Sequence, residues 1–239
     1  RRIGHPNICR MFEFGRHDPE NGEGPEIHFF TMELLVGVTL HAWLRDHGSL
    51  TEQAAQPLIE QLAAGLEAAH AQGIVHRDLK SSNIMLVAGK DGAGQRAVIM
   101  DFGLAIGLSQ SADSKLAGGI QGTPFYMAPE QFSPAGTISA RTDLFAFGIV
   151  IHEILTGVRP KGRESLTRML EQADESARRL DPHLTKLTRK AARVILKCLE
   201  PDPEARPRSA SEIPKLLFGR RDLTRKQWIG IAAAGTILS

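Results

Sequence analysis

The sequence has few of the residues that mark several common protein classes. Only two cysteines occur in 239 residues, and Cys9 and Cys198 lie far apart, each within an apolar pattern. Lysine and arginine exceed aspartate and glutamate by a formal net charge of only +2. Two separated cysteines predict buried thiols in a reducing compartment rather than a disulfide or metal framework. This net charge is too small to argue for nucleic acid or for a broadly acidic partner, and no nucleic-acid partner is expected.

Long apolar runs are also scarce, and no internal repeat stands out. The hydrophobic content of 42% and the charged content of 23% are ordinary for a soluble globular protein. A length of 239 residues suits one sizeable domain and a tail. The charge-free run 228–239 has 12 residues, whereas a membrane span needs ~20.

Apolar periodicity predicts strands first and mainly helices after residue 40. Strands are predicted at 7–14 and 27–35, and the apolar runs 84–87 and 97–100 flank a long hairpin loop. Helices are predicted at 40–47, 51–72, 142–156, 186–199 and 209–217. Thr51 and Gly73 are the expected caps of the second helix, and Pro57 should bend it or delay its start. Apolar residues nearly all round 142–156 predict a buried central helix.

The chemically informative residues lie in three short segments. His76-Arg77-Asp78-Leu79-Lys80-Ser81-Ser82-Asn83 is followed by Asp101-Phe102-Gly103 and then by Ala128-Pro129-Glu130. Asp78 can orient a hydroxyl and accept its proton. Asn83 and Asp101 offer the hard oxygen donors that magnesium prefers. In isolation the three would be interpreted as a surface loop aspartate, a turn residue and a helix cap, but their order and spacing match the HRDLxxxxN and DFG pattern of protein kinases.

On these motifs the chain resembles the catalytic domain of a eukaryotic-like, bacterial receptor-type serine/threonine protein kinase, from about residue 5 to about residue 217. The resemblance implies an α+β, protein kinase-like fold with a partial N-lobe and hinge at 1–35 and a mainly helical C-lobe at 36–218. Nothing before His76 has the form of that family's glycine-rich phosphate loop or strand lysine. We therefore expect an N-terminally truncated fragment that is inactive alone.

The resemblance also implies roles for individual residues. Asp78 would be the base, Lys80 would reach the transferred phosphoryl group, and Thr123 in the docking loop would bond to both. Asn83 and Asp101 would hold Mg²⁺. The residues expected around ATP are Met32 as gatekeeper, Glu33 and Leu35 as hinge backbone, Thr39 near the ribose and Met85 under the adenine, although each methionine alone would be interpreted as core.

Six further residues are expected to have structural or regulatory roles. His76 and Phe102 would stack in the column that links the lobes, which Met11 would join. Glu130 would pair with Arg206, and Asp143 would hold the catalytic-loop backbone. Arg77 would pair with a phosphate on the activation loop, where the candidate phosphosites are Ser109, Ser111 and Ser114; unmodified flexible serines are the alternative.

The function implied is transfer of the ATP γ-phosphoryl group to Ser/Thr hydroxyls of proteins, with ATP and Mg²⁺ as cofactors. Lys80 is typical of the serine/threonine class within the family. A pseudokinase scaffold that binds partners without phosphoryl transfer is the alternative. A small-molecule phosphotransferase is disfavoured by Gly122-Thr123-Pro124 and Ala128-Pro129-Glu130, which resemble a polypeptide-docking surface.

The C-terminal sequence predicts membrane attachment. Arg220, Arg221, Arg225 and Lys226 precede Trp228 and the apolar run, as at the cytoplasmic start of a membrane span. We expect a basic linker at 219–227, the start of a transmembrane helix at 228–239, a cytoplasmic kinase domain and a single anchor in the cell membrane. A buried or amphipathic C-terminal helix is the alternative. A homodimer is a further candidate assembly.

Overall fold

The computed structural model of the chain describes residues 3–17, 27–89, 94–102, 124–133, 136–159 and 187–219. In these segments the elements are β1 (Met11–His17), β2 (Ile27–Met32), β3 (Gly37–Thr39), α1 (Leu40–His47), α2 (Glu52–His70), β4 (Ile84–Ala88), β5 (Gln95–Ile99), α3 (Ala140–Thr156), α4 (Arg189–Cys198) and α5 (Glu212–Phe218). Short 3₁₀ turns lie at Ser81–Asn83, Pro124–Tyr126, Pro129–Phe132 and Pro203–Ala205. The predicted α+β organisation is confirmed.

The first two strands form an antiparallel ribbon that differs from the predicted bounds. β1 begins at Met11 and not at residue 7, and β2 ends at Met32 and not at residue 35. Residues 7–9 pair instead with the end of β5, because Ile99 N donates to Asn7 O at 2.9 Å and Cys9 N donates to Ile99 O at 2.8 Å. These two hydrogen bonds satisfy backbone groups of residues 7–9 and of Ile99. A pairing between segments so far apart in the sequence cannot be predicted from the local alternation of side chains.

The second sheet brings the segment that ends at Asn83 close to the segment that carries Asp101. β3, β4 and β5 are antiparallel in that order, and Ile84 lies opposite Ile99. β4 starts directly after Asn83, and β5 ends two residues before Asp101. The predicted hairpin is confirmed, and it places the end of one motif beside the start of the next. Loop residues 90–93 lie outside the described part of the chain.

The helices begin at the expected caps, although one predicted end is wrong. Thr51 Oγ1 accepts from Ala54 N at 3.3 Å, and α2 runs through Pro57 without a delayed start. α2 ends at His70, so Gly73 is not its capping residue as predicted. Gly73 instead takes a φ of 72° in the turn that follows, where its N–H donates to His70 O at 2.9 Å, a conformation that glycine adopts readily.

The core is built around α3. Every residue from 142 to 156 is buried, and α3 packs against α2 and α4, which confirms the predicted central helix. α4 and α5 are each shorter than predicted. Residues 187, 188 and 199 lie outside α4, and residue 186 lies outside the described part of the chain. Residues 209–211 lie outside α5, which extends one residue further than predicted, to Phe218.

Both cysteines are free and buried, as predicted. Burial raises the pKa of Cys9 to about 11 and that of Cys198 to about 12. No helix among the described residues is long and apolar enough to cross a bilayer. The predicted span at 228–239, and its linker beyond Gly219, lie outside those residues.

Candidate active site

The start of the predicted catalytic loop, residues 76–83, is held by a buried carboxylate on α3. Asp143 is 1% exposed; its Oδ1 accepts from Arg77 N at 2.9 Å, and its Oδ2 accepts from His76 N at 2.8 Å. His70 Nε2 lies 2.7 Å from Oδ2. These contacts keep Arg77 at a φ of 70°, a left-handed conformation that costs of order 1–3 kcal/mol for a residue other than glycine.

His76 connects this loop to the segment that carries Asp101. Its Nδ1 accepts from Asp78 N at 3.3 Å, so its Nε2 carries the proton and donates to Met100 O at 2.7 Å. The imidazole also packs on Phe102 with ring centroids 4.6 Å apart. Phe102 and Met11 line one cavity of about 260 Å³. Both ring nitrogens are therefore used in positioning, in agreement with a packing role rather than a reactive one.

The Asp78 carboxylate is held on one side only. Its Oδ2 accepts from Lys80 Nζ at 2.7 Å and from Asn83 Nδ2 at 3.3 Å. Asn83 Nδ2 also donates to Asp78 O at 2.9 Å. Among the described residues nothing donates to Oδ1, and the side chain is 40% exposed. One carboxylate oxygen thus anchors the group while the other can accept a proton from an incoming hydroxyl.

Asn83 and Asp101, which each carry an oxygen donor, lie on neighbouring stretches of backbone. Met100 N donates to Asn83 O at 2.9 Å, which fixes Asp101 next to the end of the catalytic loop. Asp101 has a φ of 61°, the second positive φ outside glycine in the described chain. Within that part of the chain, neither Asn83 Oδ1 nor the Asp101 carboxylate accepts a hydrogen bond. An amide oxygen and a carboxylate fit Mg²⁺, which typically takes one or two protein oxygens and completes its shell with phosphate and water.

Two of the residues expected around adenine, Leu35 and Met85, belong to a small apolar cluster. Leu35, Met85 and Met100 pack on a buried cluster of Cys9, Val87 and Val98. Glu33 N donates to Arg10 O at 2.9 Å, which ties the hinge to the segment before β1. Met32, at the end of β2, is 39% exposed.

Thr39 has a local task besides its expected place near the ribose. It lies opposite Met85 in the sheet, and its Oγ1 caps α1 by accepting from Ala42 N at 3.1 Å. Because this bond uses only a lone pair of the hydroxyl, the hydroxyl proton stays available to a ligand.

The expected Glu130–Arg206 pair is present and buried. Arg206 Nη1 donates to Glu130 Oε1 at 2.7 Å and Nη2 to Oε2 at 2.8 Å, with the side chains 0% and 8% exposed. Thr142 Oγ1 donates to Oε1 at 2.9 Å. Burial alone would raise the pKa of Glu130, but the bonds from Arg206, from its own backbone and from Thr142 hold that pKa below its usual value.

Sequence reasoning missed a second buried carboxylate on α3. Tyr126 Oη donates to Glu153 Oε2 at 2.7 Å, and Ser81 Oγ lies 3.1 Å from the same Oη. Burial raises the pKa of both Tyr126 and Glu153. Two signals could have revealed this contact. Tyr126 is the only tyrosine of the chain, and an acidic residue inside a helix that is apolar nearly all round requires a partner.

Further polar contacts on the loop were also missed. His70 reaches Asp143, and Gln131 Nε2 donates to Arg77 O at 2.9 Å. The Arg77 guanidinium has a buried Nε without a hydrogen-bond partner in the described part of the chain. Thr123 and the candidate phosphosites Ser109, Ser111 and Ser114 lie outside that part.

Comparison with known proteins identifies the family of the chain. A family model for the protein kinase domain matches residues 1–218, and the chain belongs to the protein kinase family. The predicted family is therefore confirmed. The expected loss of the first part of the N-lobe is not tested by this match and stays a prediction.

Several bacterial serine/threonine-protein kinases are similar to the chain. The chain is 33% identical over 221 residues to the serine/threonine-protein kinase pkn2 of Myxococcus xanthus, covering 90% of this chain and 25% of that protein. It is 35% identical to PkaA of Streptomyces coelicolor, covering 86% of this chain and 35% of the relative. It is 31% identical to PrkC of Bacillus subtilis, with coverage of 88% and 31%. The chain thus spans about a quarter to a third of the length of these relatives.

Solved structures share the fold. The PknI kinase domain of Mycobacterium tuberculosis matches with a TM-score of 0.65 at 22% identity, over 90% of this chain and 73% of that one. Residues 1–466 of Rad53, in complex with AMP-PNP, match with a TM-score of 0.66 at 25% identity, over 91% and 52% of the two chains. These matches confirm a protein kinase-like fold.

Proposed function

We propose that the intact protein transfers the γ-phosphoryl group of ATP to serine and threonine hydroxyls of other proteins. The observation that carries this function is the Asp78 carboxylate, held through Oδ2 by Lys80 and Asn83 and open at Oδ1. Its relatives pkn2, PkaA and PrkC are named serine/threonine-protein kinases, which supports both the reaction and the acceptor class.

Phosphoryl transfer depends mainly on positioning and charge stabilisation. In this mechanism Asp78 Oδ1 accepts the hydrogen bond of the acceptor hydroxyl, aligns its oxygen with the phosphorus and receives its proton. Lys80 Nζ, 2.7 Å from Oδ2, carries a positive charge at the place where the transferred group would pass. Asn83 keeps the carboxylate from rotating through its bonds to Asp78 Oδ2 and Asp78 O.

The nucleotide would lie between the hinge and the catalytic loop. The backbone of Glu33 and Leu35 would bond the adenine, with Met85 below it, Met32 as gatekeeper and Thr39 near the ribose. Asn83 Oδ1 and the Asp101 carboxylate would hold Mg²⁺. When bound, this cation would neutralise part of the negative charge of the phosphates. The complex of the related Rad53 structure with AMP-PNP supports a nucleotide in this cleft.

Acceptor binding, activation and attachment complete the proposal. Thr123 would join Asp78 and Lys80 at the docking loop. Arg77 Nε is buried and has no hydrogen-bond partner among the described residues. This supports the proposal that Arg77 binds a phosphate on the activation loop. Residues 228–239 would anchor the protein in the cell membrane with the kinase domain in the cytoplasm.

The test of this function is Asp78→Asn in the intact protein. We expect turnover on a Ser/Thr peptide array to fall by roughly 10²–10⁴, with unchanged MgATP affinity because Asp78 is not a metal ligand here. Asp46→Asn makes the same chemical change at an exposed aspartate and should leave turnover unchanged. Wild-type rates in Asp78→Asn would contradict the assignment, and predominant phosphotyrosine in the wild-type product would contradict the acceptor class.

A further inference from the structure

A buried polar chain connects the catalytic loop, the docking segment (described residues 124–130) and α3. Tyr126 Oη donates to Glu153 Oε2 at 2.7 Å, and Ser81 Oγ lies 3.1 Å from that Oη. Ser81 is 1% exposed, Glu153 3% and Tyr126 5%. Because the Tyr126 proton is directed at Glu153, Ser81 is the donor to Tyr126. The hydrogen bonds therefore run in one direction, from loop to docking segment to helix.

Ser81 occupies the middle of the loop that holds the base. It directly follows Lys80 and starts the 3₁₀ turn Ser81–Asn83, in which Asn83 N donates to Lys80 O at 2.9 Å. Lys80 and Asn83 both donate to Asp78 Oδ2. A shift of the Ser81 backbone would move both donors and change the direction of the Asp78 carboxylate.

Tyr126 fixes the opposite side of the acceptor site. It ends the turn Pro124–Tyr126, and the neighbouring Phe125 is 37% exposed on the docking segment. Glu153 lies on α3 ten residues after Asp143, about 15 Å along the helix. α3 thus holds the catalytic loop directly at its beginning, through Asp143, and indirectly at its middle, through Glu153 and Tyr126.

We propose that Ser81 is a positioning residue that, through Tyr126 and Glu153, keeps the docking segment in fixed register with Asp78. The inference rests on the proposed function and adds to it. Buried polar groups are normally hydrogen-bonded, so the bonds alone would be ordinary. These bonds matter for function because of the segments that they join. Ser81 supports the loop that carries the base Asp78, and Tyr126 supports the surface on which an acceptor peptide would lie.

The experiment compares Ser81→Ala and Tyr126→Phe with Ser82→Ala in the intact protein. Ser82 is the adjacent serine and is exposed, so it is a matched control. Tyr126→Phe keeps the ring in the core and removes only the hydroxyl. In each preparation we would measure phosphoryl transfer to a Ser/Thr peptide and hydrolysis of MgATP without peptide. The ratio of the two rates does not depend on how much of the enzyme is folded.

We expect Ser81→Ala and Tyr126→Phe to lower this ratio roughly 3- to 10-fold, the effect of one lost hydrogen bond. Ser82→Ala should keep the wild-type ratio. The double variant should fall no further than the stronger single variant, because the two residues act through the same bond.

Two results would overturn the inference while leaving the proposed function intact. Ser81→Ala and Tyr126→Phe could both keep the wild-type ratio, or transfer and hydrolysis could fall in parallel, which is the result of a purely structural role. A wild-type transfer rate in Asp78→Asn, measured beside them, would instead refute the proposed function and the inference with it.

Discussion

Removal of the Arg206 guanidinium should destabilise the kinase domain more than any single change at a surface ion pair. All five N–H groups of Arg206 donate hydrogen bonds. Nη1 and Nη2 each donate one to the Glu130 carboxylate, and Nε donates to Glu200 O at 2.8 Å. The second N–H of Nη1 donates to Arg141 O at 2.9 Å, and the second N–H of Nη2 donates to Pro201 O at 3.2 Å. The guanidinium also lies 5.1 Å from the centre of the Phe145 ring. Arg206→Met leaves Glu130 as a buried, uncompensated charge.

Breaking a buried pair on one side costs about 3–5 kcal/mol. For a domain of this size 1 kcal/mol shifts Tm by roughly 2–4 °C, so Arg206→Met should lower Tm by about 6–20 °C. The matched control is Glu204→Gln, which breaks the pair of Arg141 with a carboxylate that is 80% exposed. That pair is worth at most about 1 kcal/mol, so the control should shift Tm by about 4 °C or less. Scanning calorimetry of the intact protein measures both.

The stabilisation that the Glu130–Arg206 pair provides should depend on pH in one direction. The pKa of Glu130 is lower in the folded state than its ordinary value of 4.5. Its contribution to stability is therefore complete above pH 4.5 and is lost as the pH falls through the lower, folded pKa. The difference in Tm between wild type and Arg206→Met should narrow in that acidic range. Equal Tm losses in Arg206→Met and Glu204→Gln at pH 7 would refute the reasoning.

Three further predictions follow from the site, the thiols and the tail. Asp101→Asn in the intact protein should raise the KM for MgATP and make activity more dependent on Mg²⁺ concentration, because a neutral amide binds the cation less well than a carboxylate. Asp46→Asn is again the control. An unchanged Mg²⁺ requirement in Asp101→Asn would show that Asp101 is not a metal ligand. Iodoacetamide at pH 7.5 should modify Cys9 and Cys198 only after unfolding, since both are buried and burial raises both pKa values, to about 11 and about 12; rapid labelling of the folded protein, detected by mass spectrometry, would contradict this. The intact protein should sediment with membranes and resist alkaline carbonate, whereas recovery in the soluble fraction would rule out a span at 228–239.

The parts of the fold that follow from local pattern could be predicted from the sequence. α3 is apolar on nearly all sides, and it is the buried centre of the structure. Thr51 has the side chain and position of an N-cap, and it caps α2. Local pattern failed at residues 7–9, because their backbone pairs with Ile99 about ninety positions along the chain. The start of β1 is therefore set by tertiary contacts.

The candidate site also contains residues that the sequence predicts and contacts that it does not. The positions of Asp78, Asn83 and Asp101 could be inferred from motif order, and the pairing of Glu130 with Arg206 from the resemblance. The bond between Ser81 and Tyr126 joins residues 45 positions apart, and that between Tyr126 and Glu153 joins residues 27 positions apart. Such contacts depend on how α3 and the docking segment pack, which side-chain periodicity does not specify.

The attachment of the catalytic loop to α3 has a consequence for how the protein responds to heat. Asp143 belongs to the most deeply buried helix of the described chain, and it directly fixes the backbone of His76 and Arg77. Local opening usually begins in segments with few buried contacts, and this anchor is not in such a segment. Hydrogen exchange at the amides of His76 and Arg77 should therefore require the same large-scale opening as exchange within α3. The geometry at Asp78 should persist on warming until the domain unfolds as a whole.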